Sequence, residues 1–221
     1  MMGKRTLFGM VAILAIVGTV LVAGGPKERA SLAGARAPVA DGPSAEGITV
    51  HGHWKLDIFD ADGSYDRSVE FQNALTPGGA GILAQLLGRD RTPGAWEVWL
   101  LGSPQPCNDG TAARVCVITE NPDSGGGLSH VFDNLTLDLS AAGELTLAGS
   151  ATIAQATEIN EVQTIIWHCT PGEAPAPSGG GTCPAIHTSG FTRKTTSEAG
   201  FDSVPVDAGQ VVQVFVTLSF S

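Results

Sequence analysis

Ile48-Thr49-Val50-His51-Gly52-His53-Trp54-Lys55-Leu56-Asp57-Ile58-Phe59 alternates between apolar and polar residues with a period of two. Ile48, Val50, Trp54, Leu56 and Ile58 fall on one face, and Thr49, His51, His53, Lys55 and Asp57 on the other. Successive side chains of a strand point to opposite faces, so this stretch reads as a strand with one face buried and one wet. Asp60-Ala61-Asp62-Gly63-Ser64 is turn chemistry, and Tyr65 to Phe71 returns as the second strand of a hairpin. The far end of the chain repeats the pattern. From Gln210 to Ser221, Val212, Val214, Val216, Leu218 and Phe220 share one face.

Between these two strands the pattern is mostly β. Ala95 to Leu101 is apolar on both faces and reads as a central strand, with Trp96, Val98 and Leu100 opposed to Trp99 and Leu101. Further strands are expected at 114–119, 130–139, 144–153 and 162–168. Ser140-Ala141-Ala142-Gly143 supplies a hairpin turn, and the odd-numbered residues Val131, Leu135, Leu137 and Leu139 read as a core face. One helix is expected. Thr76 suits its N-cap, Pro77 its first position and Gly88 its stop, while Ile82, Leu83, Leu86 and Leu87 form a stripe that lies against the sheet or closes one end of it. Seven to nine short strands with one helix imply an antiparallel β-sandwich or a barrel-like sheet pair.

Outside this domain, Lys4 and Arg5 precede an apolar run from Leu7 to Ala23. Residues 1–25 therefore read as a signal peptide or a membrane anchor helix, 26–46 as a Pro/Gly/Ala/Ser-rich linker and 47–221 as the domain. Either reading of the N-terminus places the domain outside the cytoplasm, secreted or at the cell surface. Export and an even cysteine count favour disulfides, and the sequence-local pairs Cys107–Cys116 and Cys169–Cys183 are expected, two other connectivities being open. From Gly47 onward there are 7 basic and 19 acidic residues, a net charge of −12. Such a surface disfavours nucleic acid and anionic membrane, so a membrane is a partner only through an uncleaved N-terminal segment.

Candidate sites are sparse. His51 and His53 share a face and are the one metal candidate, but zinc needs three or four ligands, and two solvated histidines are the simpler reading. Asp60, Asp62 and Asp66 look superficially like a calcium loop, although Gly63 comes too early for the EF-hand pattern. Of the four tryptophans, Trp54, Trp96 and Trp167 read as core, leaving Trp99 as the candidate for an exposed ligand platform. Ser129 and His130 are adjacent and so point to opposite strand faces, G-x-S-x-G is absent, and no phosphate loop or dinucleotide fingerprint occurs. Asn134-Leu135-Thr136 matches a glycosylation sequon. No cofactor and no catalytic residues are expected.

Asn73-Ala74-Leu75-Thr76-Pro77-Gly78-Gly79, leading into the helix, resembles the N-x-[IL]-T-x-x-G segment and short helix of phage-tail-type structural proteins. Val204 to Gln210, followed by Val211 to Ser221, is similar to the C-terminal strand of such proteins and of exported bacterial proteins of uncharacterised function. The resemblance implies a structural or assembly role without catalytic residues. The expectation is an exported structural or interaction protein that packs against itself or another envelope protein, self-assembling through strand pairing into a filament or surface structure. The alternative is a carbohydrate- or calcium-binding module built on Trp99 and the Asp60–Asp66 turn.

Overall fold

The computed structural model describes residues 48–120, 128–169 and 187–221. The expected N-terminal signal or anchor helix and the linker lie outside them. The described chain forms two sheets and one helix. The first sheet contains β1 (Val50–Phe59), β2 (Tyr65–Ala74), β6 (Thr136–Asp138), β7 (Glu144–Thr152) and β11 (Val211–Phe220), in the order β2-β1-β11-β7-β6. The second contains β3 (Thr92–Gly102), β4 (Val115–Thr119), β5 (Ser129–Asp133), β8 (Thr157–Cys169), β9 (His187–Thr195) and β10 (Val204–Val206). Its order is β10-β8-β3-β4-β5, with β9 sharing the outer side of β8. Neither sheet closes on itself, so the barrel-like alternative falls away and two sheets around one core remain.

The alternation in β1 and β11 sets that core. The two strands pair antiparallel from Val50 opposite Phe220 to Phe59 opposite Val211. Antiparallel partners share a face, so Trp54, Leu56 and Ile58 lie beside Val216, Val214 and Val212, all fully buried. From the other sheet, Trp96, Val98 and Leu100 of β3, Ile118 of β4 and Val162 and Ile166 of β8 complete the same cluster. β3 is central, as a strand apolar on both faces should be, with β4 and β8 on its two sides. β11 is equally central. Because β7 takes its second side, it has no free edge through which to pair with another chain.

Three expectations are corrected. The single strand read over 130–139 is two strands in different sheets: β5 pairs with β4, the chain crosses at Asn134-Leu135, and β6 pairs with β7. Only Leu135 of the predicted face is well buried there; Leu137 and Leu139 are exposed, because the crossing breaks the alternation. The β4–β5 pair is also parallel, so the structure is not wholly antiparallel. At the crossing the Asn134 amide donates to the Ser150 carbonyl at 2.9 Å and accepts from the Ser150 N–H at 2.9 Å, substituting for a strand partner along β7. The sequon nitrogen is thereby already engaged. Across from it, a Cβ on Gly149 would stand 2.5 Å from Ile118 Cγ2, so the sheets pinch together at this corner.

β9 and β10 fall outside the strands expected from sequence. β9 is His187-Thr188-Ser189-Gly190-Phe191-Thr192-Arg193-Lys194-Thr195, with a single large apolar residue and no alternation to detect. A register shift against β8 lies beside Phe191, between Thr164 opposite Thr192 and Ile165 opposite Gly190. The Thr192 N–H and hydroxyl both meet the buried Thr164 Oγ1 (3.0 and 2.7 Å), and the Phe191 ring packs edge-on against Trp96. The Phe191 carbonyl accepts the Thr76 N–H at 3.0 Å and starts α1 (Pro77–Leu87). Thr76 caps the helix as its sequence implies, accepting from the Gly79 N–H at 2.8 Å and donating to the Gly190 carbonyl at 2.6 Å.

Two outcomes follow. A Cβ on Gly79 would stand 2.1 Å from the Phe191 carbonyl oxygen, whereas one on Gly81 meets nothing within 4 Å. Thermal melting should show Gly79→Ala strongly destabilised and Gly81→Ala stabilised by up to about 1 kcal/mol, the helix-propensity difference; equal responses would mean that α1 does not dock on β9. Deleting Gln210–Ser221 removes four fully buried side chains. Together these contribute about 6–12 kcal/mol, comparable to a domain's whole net stability of roughly 5–15 kcal/mol. The truncated chain should lack a cooperative melt; a folded truncated monomer would contradict the central position of β11.

Candidate interaction surface

The two ends of the sheet pair are finished differently. At the end where β1 stops and β11 starts, loops seal the core. Gln210 is buried; its Nε2 donates to Asp60 Oδ1 (2.9 Å), tying the β1–β2 turn to the turn before β11. Gly209 N–H donates to the Ile153 carbonyl, Ile153 N–H to the Gln210 carbonyl and Ala154 N–H to the Pro106 carbonyl. The expected disulfide Cys107–Cys116 is formed, both cysteines buried, and it holds the loop after β3 against this end. The second expected bridge requires Cys183, which lies outside the described residues; Cys169 is buried at the end of β8.

Among the described residues the opposite end is open. Here β1 begins, β11 ends and the β6–β7 turn folds over, the Phe220 N–H donating to the Gly143 carbonyl at 2.9 Å. The helical stripe closes this end only in part. Ile82 is buried and Leu83 and Leu86 are half-buried against the core, but Leu87 is 61% exposed. Ile48 and Phe220, assigned by their alternation to a buried face, are 58% and 37% exposed. Ile48, Leu83, Leu87, Phe220 and Ser221 line a groove of about 490 Å³. Leu139 is 68% exposed just beyond β6, whose Asp138 lies opposite Thr146 in β7. No lining residue carries an ionisable side chain. The backbone is satisfied at this rim: Thr49 and Ser221 exchange both N–H···O=C bonds, at 2.8 and 3.0 Å. What the mouth presents is therefore apolar side chain, with no orphaned backbone.

The residues singled out from sequence are dispersed. His51 and His53 are exposed on the outer face of β1, and His53 Nε2 lies 3.4 Å from Glu70 Oε2. Among the described residues no group of three or more His, Cys, Asp or Glu side chains is placed to hold a metal ion. The three turn carboxylates each face an internal donor. Asp60 accepts from Gln210, Asp66 pairs with Arg67, and Asp62 accepts from the Ser64 hydroxyl and N–H, which hold its carboxyl below the usual range.

Trp99 is half-exposed on the outer face of the second sheet. Its indole N–H donates to Glu97 Oε2 at 2.6 Å, and Glu97 is almost fully buried. Trp99 stands opposite Gln163, and Gln163 opposite Arg193. Arg193 Nε and Nη2 grip Glu161 at 2.7 and 3.0 Å. Burial works to raise the Glu161 pKa, but hydrogen bonds from Arg193 and Gln163 outweigh it and leave the carboxyl below its ordinary value. The polar row beside Trp99 and the Glu97 anchor were not singled out from sequence, since only strand register brings β3, β8 and β9 together.

Comparison with protein families, with curated proteins and with solved structures finds no match to this chain.

The Glu97 contact gives a direct test. Trp99→Phe keeps an aromatic ring but deletes the donor to a buried carboxylate, a loss of about 1–3 kcal/mol. Denaturant melts of the two proteins should differ by that amount; identical midpoints would mean that the indole does not anchor on Glu97.

Proposed function

We propose that this chain is an exported structural or interaction protein, secreted or displayed at the cell surface, whose domain packs against copies of itself or against another envelope protein. The observation that carries this reading is the apolar groove lined by Ile48, Leu83, Leu87 and Phe220 at one end of a strongly acidic domain. The Cys107–Cys116 disulfide suits an oxidising compartment, and the basic-then-apolar N-terminus suits export. The likeness of Asn73–Gly79 and of the C-terminal strand to phage-tail-type structural proteins points the same way. Assembly by strand pairing would use an outer strand such as β2, ten residues long and paired through β1 on one side, since β11 is enclosed.

A second reading, carbohydrate binding, is favoured by the Trp99 row. An oriented indole beside an amide, a carboxylate and a guanidinium offers a stacking surface with hydrogen-bonding groups at its edge. Chemical cross-linking of the exported chain on intact producing cells separates the two. The first reading expects conjugates containing two copies, or one copy and an envelope protein. A chain that cross-links to nothing, yet binds a glycan array through a signal lost in Trp99→Ala, transfers the function to the second.

A further inference from the structure

We infer that the Trp99 row on the outer face of the second sheet binds an extended, neutral polysaccharide lying across β3, β8 and β9. The inference deepens the second reading above, carbohydrate binding, and rests on it. Strand register puts Trp99 opposite Gln163 and Gln163 opposite Arg193, so the three side chains form one row perpendicular to the strands. Neighbouring strands lie about 4.8 Å apart, which gives the row a span of roughly 10 Å. A pyranose unit in an extended chain advances by about one strand spacing, so indole, amide and guanidinium meet successive units of one chain. On the far side of β9, Leu75 bridges to Thr192. There the row reaches a polar cleft of about 410 Å³, which Arg193 borders together with Asn73, Thr76, Lys194 and Glu198. The path from Trp99 to this cleft follows a sheet face and suits a chain, whereas a single small ligand is held by an enclosing pocket.

Each member of the row is held in place by its own partners. The Trp99 N–H reaches along the strand to Glu97 at 2.6 Å, and that carboxylate is 1% exposed. The indole is thereby drawn down toward the sheet, with its apolar ring surface left for the C–H face of a sugar. Glu161 accepts from Gln163 Nε2 and from two guanidinium nitrogens of Arg193, Nε at 2.7 Å and Nη2 at 3.0 Å. These bonds fix the amide and the guanidinium, and they leave the Gln163 amide oxygen to accept and Arg193 Nη1 to donate, the two functions a sugar hydroxyl matches. The Arg193 side chain is 54% exposed and that of Glu161 18%, so a ligand meets the guanidinium first. Neutrality follows from charge. Glu161 already compensates Arg193, and a domain with 7 basic and 19 acidic residues repels an anionic chain.

Affinity electrophoresis of the exported chain purified from its producing cells tests this, in gels containing a neutral polysaccharide (a β-glucan, a xylan, a mannan or a galactan) or the anionic polygalacturonate. The expected result is retardation by at least one neutral polymer and none by polygalacturonate. Oligosaccharides cut from the retarding polymer should compete more strongly as they lengthen, up to the span of the row. Trp99→Ala should weaken binding on the order of tenfold or more and Gln163→Ala should weaken it measurably. His51→Ala, on the exposed outer face of β1, should leave it unchanged. Gln163→Ala keeps Trp99 and its Glu97 bond, so it decides the matter should Trp99→Ala fail to melt cooperatively. Retardation by polygalacturonate alone, or competition by the monosaccharide as strong as by its oligomers, overturns the inference while carbohydrate binding stands. Retardation by a neutral polymer that neither variant changes moves the site off this row and likewise overturns the inference. No retardation in any gel overturns it too, and an empty glycan array besides removes the carbohydrate reading itself.

Discussion

The pairing of β1 with β11 is the constraint on which the rest of this domain depends. It joins the first and last strands of the domain over ten residues in one register. Strand side chains have a period of two, so a slip of one residue would turn Trp54, Leu56 and Ile58 outward while Val212, Val214 and Val216 stayed in. The buried faces of both strands thus specify the register together. With that register set, β2 and β7 have their places on either side, and the first sheet presents one continuous apolar face to the second. The cost is topological. The two strands are separated by almost the whole domain, so their pairing closes a long loop before its contacts can stabilise anything.

The second sheet is organised around a less regular feature. The register shift beside Phe191 lets that residue pack its ring on Trp96 and present its carbonyl to Thr76, while Thr164 satisfies the backbone of Thr192. A polar strand thereby gains one deep apolar anchor and becomes the platform for α1. The close approach of Gly79 to the Phe191 carbonyl shows how tightly the helix is set there. Because the helix start is fixed on β9, its far end reaches across the mouth only as far as Leu83 and Leu86, and Leu87 stays in solvent. The exposed surface is therefore a consequence of where the helix is anchored.

The two ends also differ in the kind of force that finishes them. Hydrogen bonds from Gln210 and the turn backbones, with a disulfide, close one end. At the other end the backbone is satisfied but several large apolar side chains are not covered, and only apolar contact can improve on that state.

Much of this was legible in the chain itself, for a stated reason. Alternation along Ile48–Phe59 and Gln210–Ser221, the Thr76-Pro77 helix start and the Cys107–Cys116 spacing are local patterns, and local geometry converts them directly into a half-buried strand, a capped helix and a short cross-link. The mouth was only half legible. Leu83 and Leu87 announce an apolar stripe, but Ile48, Leu139 and Phe220 have the same pattern as their buried neighbours. Whether such a residue is core or surface depends on how far the facing sheet extends, which no strand records in its own alternation. The same holds for β9, whose one buried aromatic carries no period, and for the break at Asn134-Leu135, where the chain leaves one sheet for the other because Ser150 and Thr119 offer it hydrogen bonds from separate strands. The sequence by itself determined which residues face together along each strand. The tertiary structure decided which of those faces are covered, because coverage is a property of two elements and alternation a property of one.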